Sequence, residues 1–142
     1  MVERTWDGEP VSREAPFGAA VVVCRHGERG PELLVLHRAQ LGPDFEGDWA
    51  WGPPSGARYP GESIAVCAAR ELREETGLRL PLRPAGGPGD WAVYLAEAPR
   101  DAEIRLSPEH DRFAWLPIDE AVGRTSPADV RAQLAAATAG IG

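Results

Sequence analysis

The sequence predicts an α/β domain. Three observations lead there: two near-continuous apolar runs with the look of buried strands, one helix with signals at both ends, and a length of 142 residues that suits one domain. A chain of this size buries roughly two-thirds of its unfolded surface, enough for a substantial core.

Residues 1–15 read as an extended arm. Residues 17–25, FGAAVVVCR, are apolar and β-branched, the pattern of a strand covered on both faces. HGERGP (26–31) is a turn by its Gly and Pro, and ELLVLHRA (32–39) is the returning strand of a hairpin. QLGPDFEGDW (40–49) reads as a loop, and WAWGPP as a short strand ended by two prolines. SIAVCAARELREET (63–76) is the clearest helix, with Ser63 placed as N-cap and Gly77 just past the end. RPAGGPGD (83–90) is expected to be a flexible loop. WAVYLAEA (91–98) and RFAWLPI (112–118) read as strands, and DEAV opens a short helix. SPADVRAQLAAATA (126–139) reads as a terminal helix with Pro in its first position. No repeat, linker or second domain is evident, so residues 1–142 are expected to be one domain.

Composition narrows the function. Hydrophobic content of 43% and charged content of 26% are ordinary for a globular protein. No apolar run approaches the ~20 residues of a membrane span, and the polar N-terminus lacks the apolar core of a signal peptide. A cytoplasmic protein without membrane partners is expected. Cys24 and Cys67 form no metal-ligand pattern and read as buried thiols. The net charge is −7, with 15 Arg and no Lys, as GC-rich codon usage would give. That balance argues against a long nucleic acid as partner, because such binding rests on neutralised phosphates. A small polyanion is admissible if metal ions screen the site.

One feature of the helix asks for a reason. Glu71, Glu74 and Glu75 stand at i, i+3 and i+4 near its C-terminus. Like charges at i,i+4 destabilise a helix by ~0.2–0.5 kcal/mol. Carboxylates at a helix C-terminus oppose the macrodipole by ~0.3–1 kcal/mol each. Ala65, Ala69 and Leu72 occupy the neighbouring arc and are expected to face the core. Two explanations stand side by side. One is a solvated face with Arg70–Glu74 and Glu75–Arg79 pairs; the other is a set of hard oxygen ligands for divalent cations.

The surroundings choose. Gly56, Glu62, Arg70, Glu71, Leu72, Glu74, Glu75, Gly77 and Leu78 fall within residues 56–78 at the spacing G-x5-E-x7-R-E-U-x-E-E-x-G-U. This stretch resembles the Nudix box at every defined position. The resemblance implies an α/β/α sandwich with a mixed central sheet. It also implies hydrolysis of a nucleoside diphosphate linked to another group, with Mg2+ as cofactor and Mn2+ as the alternative. Glu71, Glu74 and Glu75 would be metal ligands, with a backbone carbonyl at Ser55 or Gly56 as a further one. Glu71 or Glu74 would be the general base. Arg70 would reach back to Glu62 and fix the loop.

WAWGPPSG before the box, and residues 94–121 after it, are similar to the asymmetrically cleaving diadenosine tetraphosphate hydrolases. With the box, that resemblance covers about two-thirds of the chain. It implies Glu109 as a metal-site glutamate from outside the box. His110 is either a phosphate contact or a structural hydrogen-bonding residue. His37 and His26 read as strand-end and turn residues. Of Tyr94 and Trp91, only one can face a base. The subgroup usually has Pro-Pro-Lys-Gly where this chain has Pro53-Pro54-Ser55-Gly56. Either Arg58 or Arg38 replaces the missing cation, or the substrate has fewer phosphates. The loop 38–48 also looks longer than usual.

The function expected is cleavage of dinucleoside polyphosphates to ATP and AMP. The alternatives are a nucleoside triphosphate sanitiser, an RNA 5′-end pyrophosphohydrolase, which −7 disfavours, and a non-catalytic nucleotide sensor. A monomer or weak dimer is expected.

Overall fold

The computed structural model describes residues 10–86 and 89–141. In chain order the elements are β1 (Gly18–Gly27), β2 (Gly30–Arg38), β3 (Trp51–Gly52), β4 (Ser55–Ala57), α1 (Ile64–Thr76), β5 (Arg83–Gly86), β6 (Trp91–Glu97), β7 (His110–Pro117), α2 (Ile118–Arg124) and α3 (Ala128–Thr138).

Seven strands form one sheet in the order β3-β2-β1-β6-β5, with β4 also on β1 and β7 also on β2. β1 and β6 are parallel and the other pairs are antiparallel, so the sheet is mixed as expected. The continuous apolar run of β1 is explained by cover on both faces. Ala19, Val21 and Val23 join Cys67, Ala68 and Leu72 of α1 in one core. Val22 and Cys24 join Ala121 of α2 and Leu134 and Ala137 of α3 in the other. The result is the α/β/α sandwich.

One departure from a simple sheet positions the site. β1 pairs with β2 only from Cys24↔Leu33 to the hairpin turn. Past that point the two strands part, and residues 50–57 fill the wedge. The Arg38 amide donates to the Ala50 carbonyl at 2.9 Å, and β3 pairs with β2. The Val21 amide donates to the Pro54 carbonyl at 2.8 Å, and β4 pairs with β1. The wedge thus delivers Ser55 and Gly56 to the sheet surface under α1.

The ends of α1 follow the sequence signals. The Val66 amide donates to Ser63 Oγ at 3.2 Å, and Gly77 takes φ 77° while its amide donates to the Arg73 carbonyl at 2.8 Å. Only glycine adopts that left-handed conformation without strain.

Several expectations need correction. Ala65 and Ala69 are exposed; the buried face is Cys67, Ala68, Glu71, Leu72, Glu75 and Thr76, so two glutamates lie on the inner side of the helix. Residues 83–86, expected as loop, are the edge strand β5, paired with β6 through a bulge between Pro84 and Gly86. Pro is tolerated at such an edge. Residues 87 and 88 of that loop lie outside the described residues. Pro127 is the N-cap of α3 rather than its first helical residue. Of the expected arm, residues 1–9 lie outside the described residues, while Val11 and Ser12 are buried and the Ser12 amide donates to the Arg58 carbonyl at 2.6 Å.

Leu72 anchors α1 to the sheet and is 1% exposed. We predict that Leu72→Ala lowers stability by ~2–5 kcal/mol. The check is a lower urea midpoint with an unchanged slope; a loss below about 1 kcal/mol would contradict this packing.

Candidate active site

Arg70 is the hub where loop and helix meet. Its Nε and Nη2 donate to Glu62 Oε2 and Oε1 at 2.7 and 2.9 Å, a bidentate pair. Nη1 donates to Glu71 Oε1 at 2.7 Å and to Glu74 Oε2 at 3.3 Å. Nη2 also donates to the Ala57 carbonyl at 3.1 Å, and the guanidinium stacks 3.9 Å from the Tyr59 ring centroid. The pair lowers the Glu62 pKa, chiefly through the Arg70 hydrogen bond, and raises that of Arg70. Both side chains are about nine-tenths buried, so the pair is shielded from solvent.

Behind this hub the helix turns carboxylates into the protein. Glu71 is 8% exposed and Glu75 is 2% exposed. Burial raises the Glu71 pKa, with the Arg70 charge opposing it. Glu75 is raised well above the ordinary carboxylate range, first by burial and then by Glu71 and Glu109. Glu75 accepts the Ser55 amide at 3.3 and 3.4 Å, rather than pairing outward with the exposed Arg79. Gly56 faces the Glu71 carboxylate, and any Cβ there would collide with it. Cys67 lies beneath, its Sγ 3.8 Å from the Gly56 carbonyl, and burial pushes its thiol to about 12.

Two adjoining clefts open on this surface. One, of about 440 Å3, is lined by Ser55, Gly56, Tyr59, Glu71, Glu74, Glu75 and Glu109. The other, of about 320 Å3, is lined by Trp49, Trp51, His110, Asp129, Val130 and Gln133. Arg38, Ser55, Glu75, Trp91 and Glu109 line both. Ligand atoms of Glu75, Glu109 and His110 lie within 4.8 Å of one another. The donor set fits a divalent cation. Carboxylates crowd on one side of a glycine cradle, and burial, with the Glu71 and Glu109 charges, disfavours the ionised form of Glu75.

The structure brings Glu62, Arg70, Glu71, Glu74, Glu75, Glu109, Gly56, Ser55, Arg38 and His110 together around these clefts. Two expected substrate residues lie elsewhere. Arg58 lines neither cleft. It donates to the Glu14 carbonyl at 2.7 Å, to Ser12 Oγ at 3.2 Å and to the Glu62 carbonyl at 3.3 Å. Tyr94 is in the α1-side core, 8% exposed; Trp91, three residues earlier and so on the opposite face, reaches the clefts. His110 Nδ1 stands 3.8 Å from Glu75 Oε1, too long for a hydrogen bond. Burial, then the Arg38 charge, lower its pKa to about 4. His37 is fully buried, with Nδ1 2.8 Å from Asp111 Oδ1 and Nε2 2.6 Å from the Phe45 carbonyl, and so ties the 40–49 loop to the sheet. His26 is exposed, 3.2 Å from Glu97 Oε1.

Sequence reasoning missed Trp49, Asp129 and Gln133. Trp49 is 54% exposed and holds φ 64°, a strained conformation for a bulky residue, at the rim of the aromatic cleft. The Trp49-Ala50-Trp51 triplet was a signal for it. Asp129 and Gln133, at i and i+4 on α3, carry none.

Comparison with known proteins bears on the family and the fold. The NUDIX domain family matches residues 16–137. The asymmetrical bis(5′-nucleosyl)-tetraphosphatase of Rattus norvegicus is 35% identical over 104 residues, 63% of this chain and 67% of that protein. An octanoyltransferase of Myxococcus xanthus is 35% identical over 150 residues, covering 94% of this chain, which spans only 40% of that protein. Among solved structures, a C. elegans Ap4A hydrolase binary complex superposes with a TM-score of 0.69 at 24% identity, over 86% of this chain and 94% of that one. The E. coli dihydroneopterin triphosphate pyrophosphohydrolase gives 0.67 at 20% identity, over 84% and 92%.

Two predictions follow from the charge balance. A carboxyl whose folded pKa is raised stabilises the fold fully below its unfolded pKa, and that contribution is lost as pH rises through the folded value. Glu75 and Glu71 have this sign; Glu62, with a lowered pKa, has the opposite one, complete above the ordinary value of 4.5. Metal-free Glu75→Gln should therefore melt higher than the parent once the pH has risen through the raised Glu75 pKa, by about 3 °C or more, as ~1 kcal/mol gives at this size. Scanning calorimetry checks this, and an equal or lower Tm would contradict it. Arg70→Lys keeps the charge but loses the fork. Amides of residues 55–62 should exchange at least tenfold faster in hydrogen-exchange measurements; unchanged protection would mean the fork does not hold the loop.

Proposed function

The chain belongs to the Nudix family, and from that membership we propose a metal-dependent pyrophosphohydrolase that cuts dinucleoside polyphosphates such as diadenosine tetraphosphate into ATP and AMP. The observation that supports this reading most directly is the junction of an acidic cleft with an aromatic one across Ser55, Glu75 and Trp91. A chain of phosphates suits the first and a nucleobase the second. A stacked base contributes ~1–3 kcal/mol, and Trp49 and Trp91 are the candidate platforms.

A divalent cation, Mg2+ or Mn2+, bound among these carboxylates supplies charge for a phosphoryl oxygen and lowers the pKa of a water. The protein's own groups do the rest. Glu74, half-exposed and only loosely held by Arg70, and Glu71, with its raised pKa, are the candidates to take the water's proton. Arg70 and Glu62 keep both at the loop's mouth and stay out of contact with substrate. The Ser55 amide orients Glu75. Arg38, which lines both clefts, is the candidate counter-charge for the phosphates, since Arg58 is engaged by the N-terminal segment.

Ser55 favours a second reading. With no lysine there, a substrate with fewer phosphates, such as a nucleoside triphosphate, fits the charge of the site. Relatives with other names, such as the 8-oxo-(d)GTP phosphatase of Mycolicibacterium smegmatis at 31% identity, point the same way. A non-catalytic sensor has less support, because every box glutamate is present.

A nucleotide panel with Mg2+, read by chromatography, separates these readings. Diadenosine tetraphosphate should give ATP and AMP, with oxygen from labelled water in AMP, and excess EDTA should stop the reaction. Two ADP as main product would overturn asymmetric cleavage, and faster turnover of triphosphates would favour the second reading. Glu74→Gln should lower kcat by roughly 10²–10⁴-fold; near-normal turnover would remove Glu74 from its role.

A further inference from the structure

We propose that His110 is a metal ligand. With Glu75 and Glu109 it forms a mixed nitrogen–oxygen position that favours a first-row transition cation, such as Mn2+ or Co2+, over Mg2+. The inference rests on the reading above that the acidic cleft binds a divalent cation, and adds to it the kind of ion.

The geometry supports it from two sides. Ligand atoms of the three residues lie within 4.8 Å of one another. Independently, the His110 side chain is only 7% exposed, and its Nδ1 is buried without a hydrogen-bond partner. Buried polar atoms rarely stay unpaired, because desolvation without a partner is unfavourable. Here the orphaned nitrogen stands 3.8 Å from Glu75 Oε1, a separation that one ion bound to both atoms can span. A cation there would give the orphaned His110 nitrogen a partner within reach of both carboxylates.

The ring is held in place by its backbone. The His110 amide donates to the Ser107 carbonyl at 3.1 Å, and the residue pairs with Arg38 at a bulge in the β2–β7 ladder. Bulges of this kind re-aim a side chain. Magnesium prefers oxygen donors throughout, whereas an imidazole raises affinity along the first transition row. A site with one imidazole therefore discriminates by metal.

The test uses tag-free, metal-free protein. The chain has three histidines; His37 has both ring nitrogens engaged, and His26 is exposed. Spin-echo spectroscopy of the Mn2+-loaded protein should show imidazole 14N modulation, kept in His26→Gln and lost in His110→Gln and His110→Asn. Calorimetry should show Co2+ affinity falling by about tenfold or more in the His110 variants, with Mg2+ affinity changing less than about threefold. Absent 14N modulation in the parent would overturn the proposal. So would modulation retained in folded His110 variants, or equal losses for Co2+ and Mg2+. No nucleotide enters these measurements. Nitrogen-ligated Mn2+ without hydrolysis would keep this inference and remove the proposed reaction; hydrolysis with an all-oxygen ion would do the reverse.

Discussion

One guanidinium organises the loop–helix junction. Arg70 donates to Glu62, Glu71 and Glu74 and lies over Tyr59, so a single cation serves three carboxylates. Its fork geometry is what makes this possible; a point charge would meet the same groups without fixing their directions. The fork draws the loop down to the helix and leaves Glu75 outside its reach, with no arginine ion pair among the described residues. The local deficit of positive charge is thus built into the fold. It suits a divalent cation, and in the metal-free protein burial, joined at Glu75 by the Glu71 and Glu109 charges, raises the carboxyl pKa values.

The sheet supports that junction by an imperfection. Because β1 and β2 part beyond Cys24↔Leu33, the segment between them pairs with both and becomes part of the sheet. A loop held by backbone hydrogen bonds on two sides positions its amides more rigidly than one held at its ends. The Ser55 amide on Glu75 benefits directly. The aromatic cleft gains similar order from His37, whose buried ring joins the 40–49 loop to β7.

What was legible in the sequence was local. Ser63 and Gly77 mark the ends of α1 because capping is decided within a few residues. The Arg70–Glu62 pair was legible because helix and loop are close in the chain. The alternating cover of β1 followed from its uniform apolarity. What was not legible depended on register between distant segments. Trp91 and Tyr94 differ by three positions, and only pairing with β1 decides which face each takes. Arg58 was a free cation on paper, but the N-terminal segment claims it. Ala65 and Ala69 face solvent because α1 rotates its buried stripe toward Glu71 and Glu75, a choice no apolar count would make. Edge strand β5 looked like loop because its partner, β6, supplies the order.

Cys67 sits at the base of this machinery with its sulfur near Arg70 and Gly56. A cysteine beside a guanidinium is usually activated, because the cation stabilises the thiolate. Here burial, followed by the Glu62 and Glu71 charges, outweighs Arg70 and pushes the thiol up to about 12, so it stays protonated at neutral pH. Peroxides and electrophiles react with thiolates, so a protonated, buried sulfur at this position is a poor target for them. Burial, and after it the Glu62 and Glu71 charges, thus keep a thiol beneath the metal cleft in its protonated form.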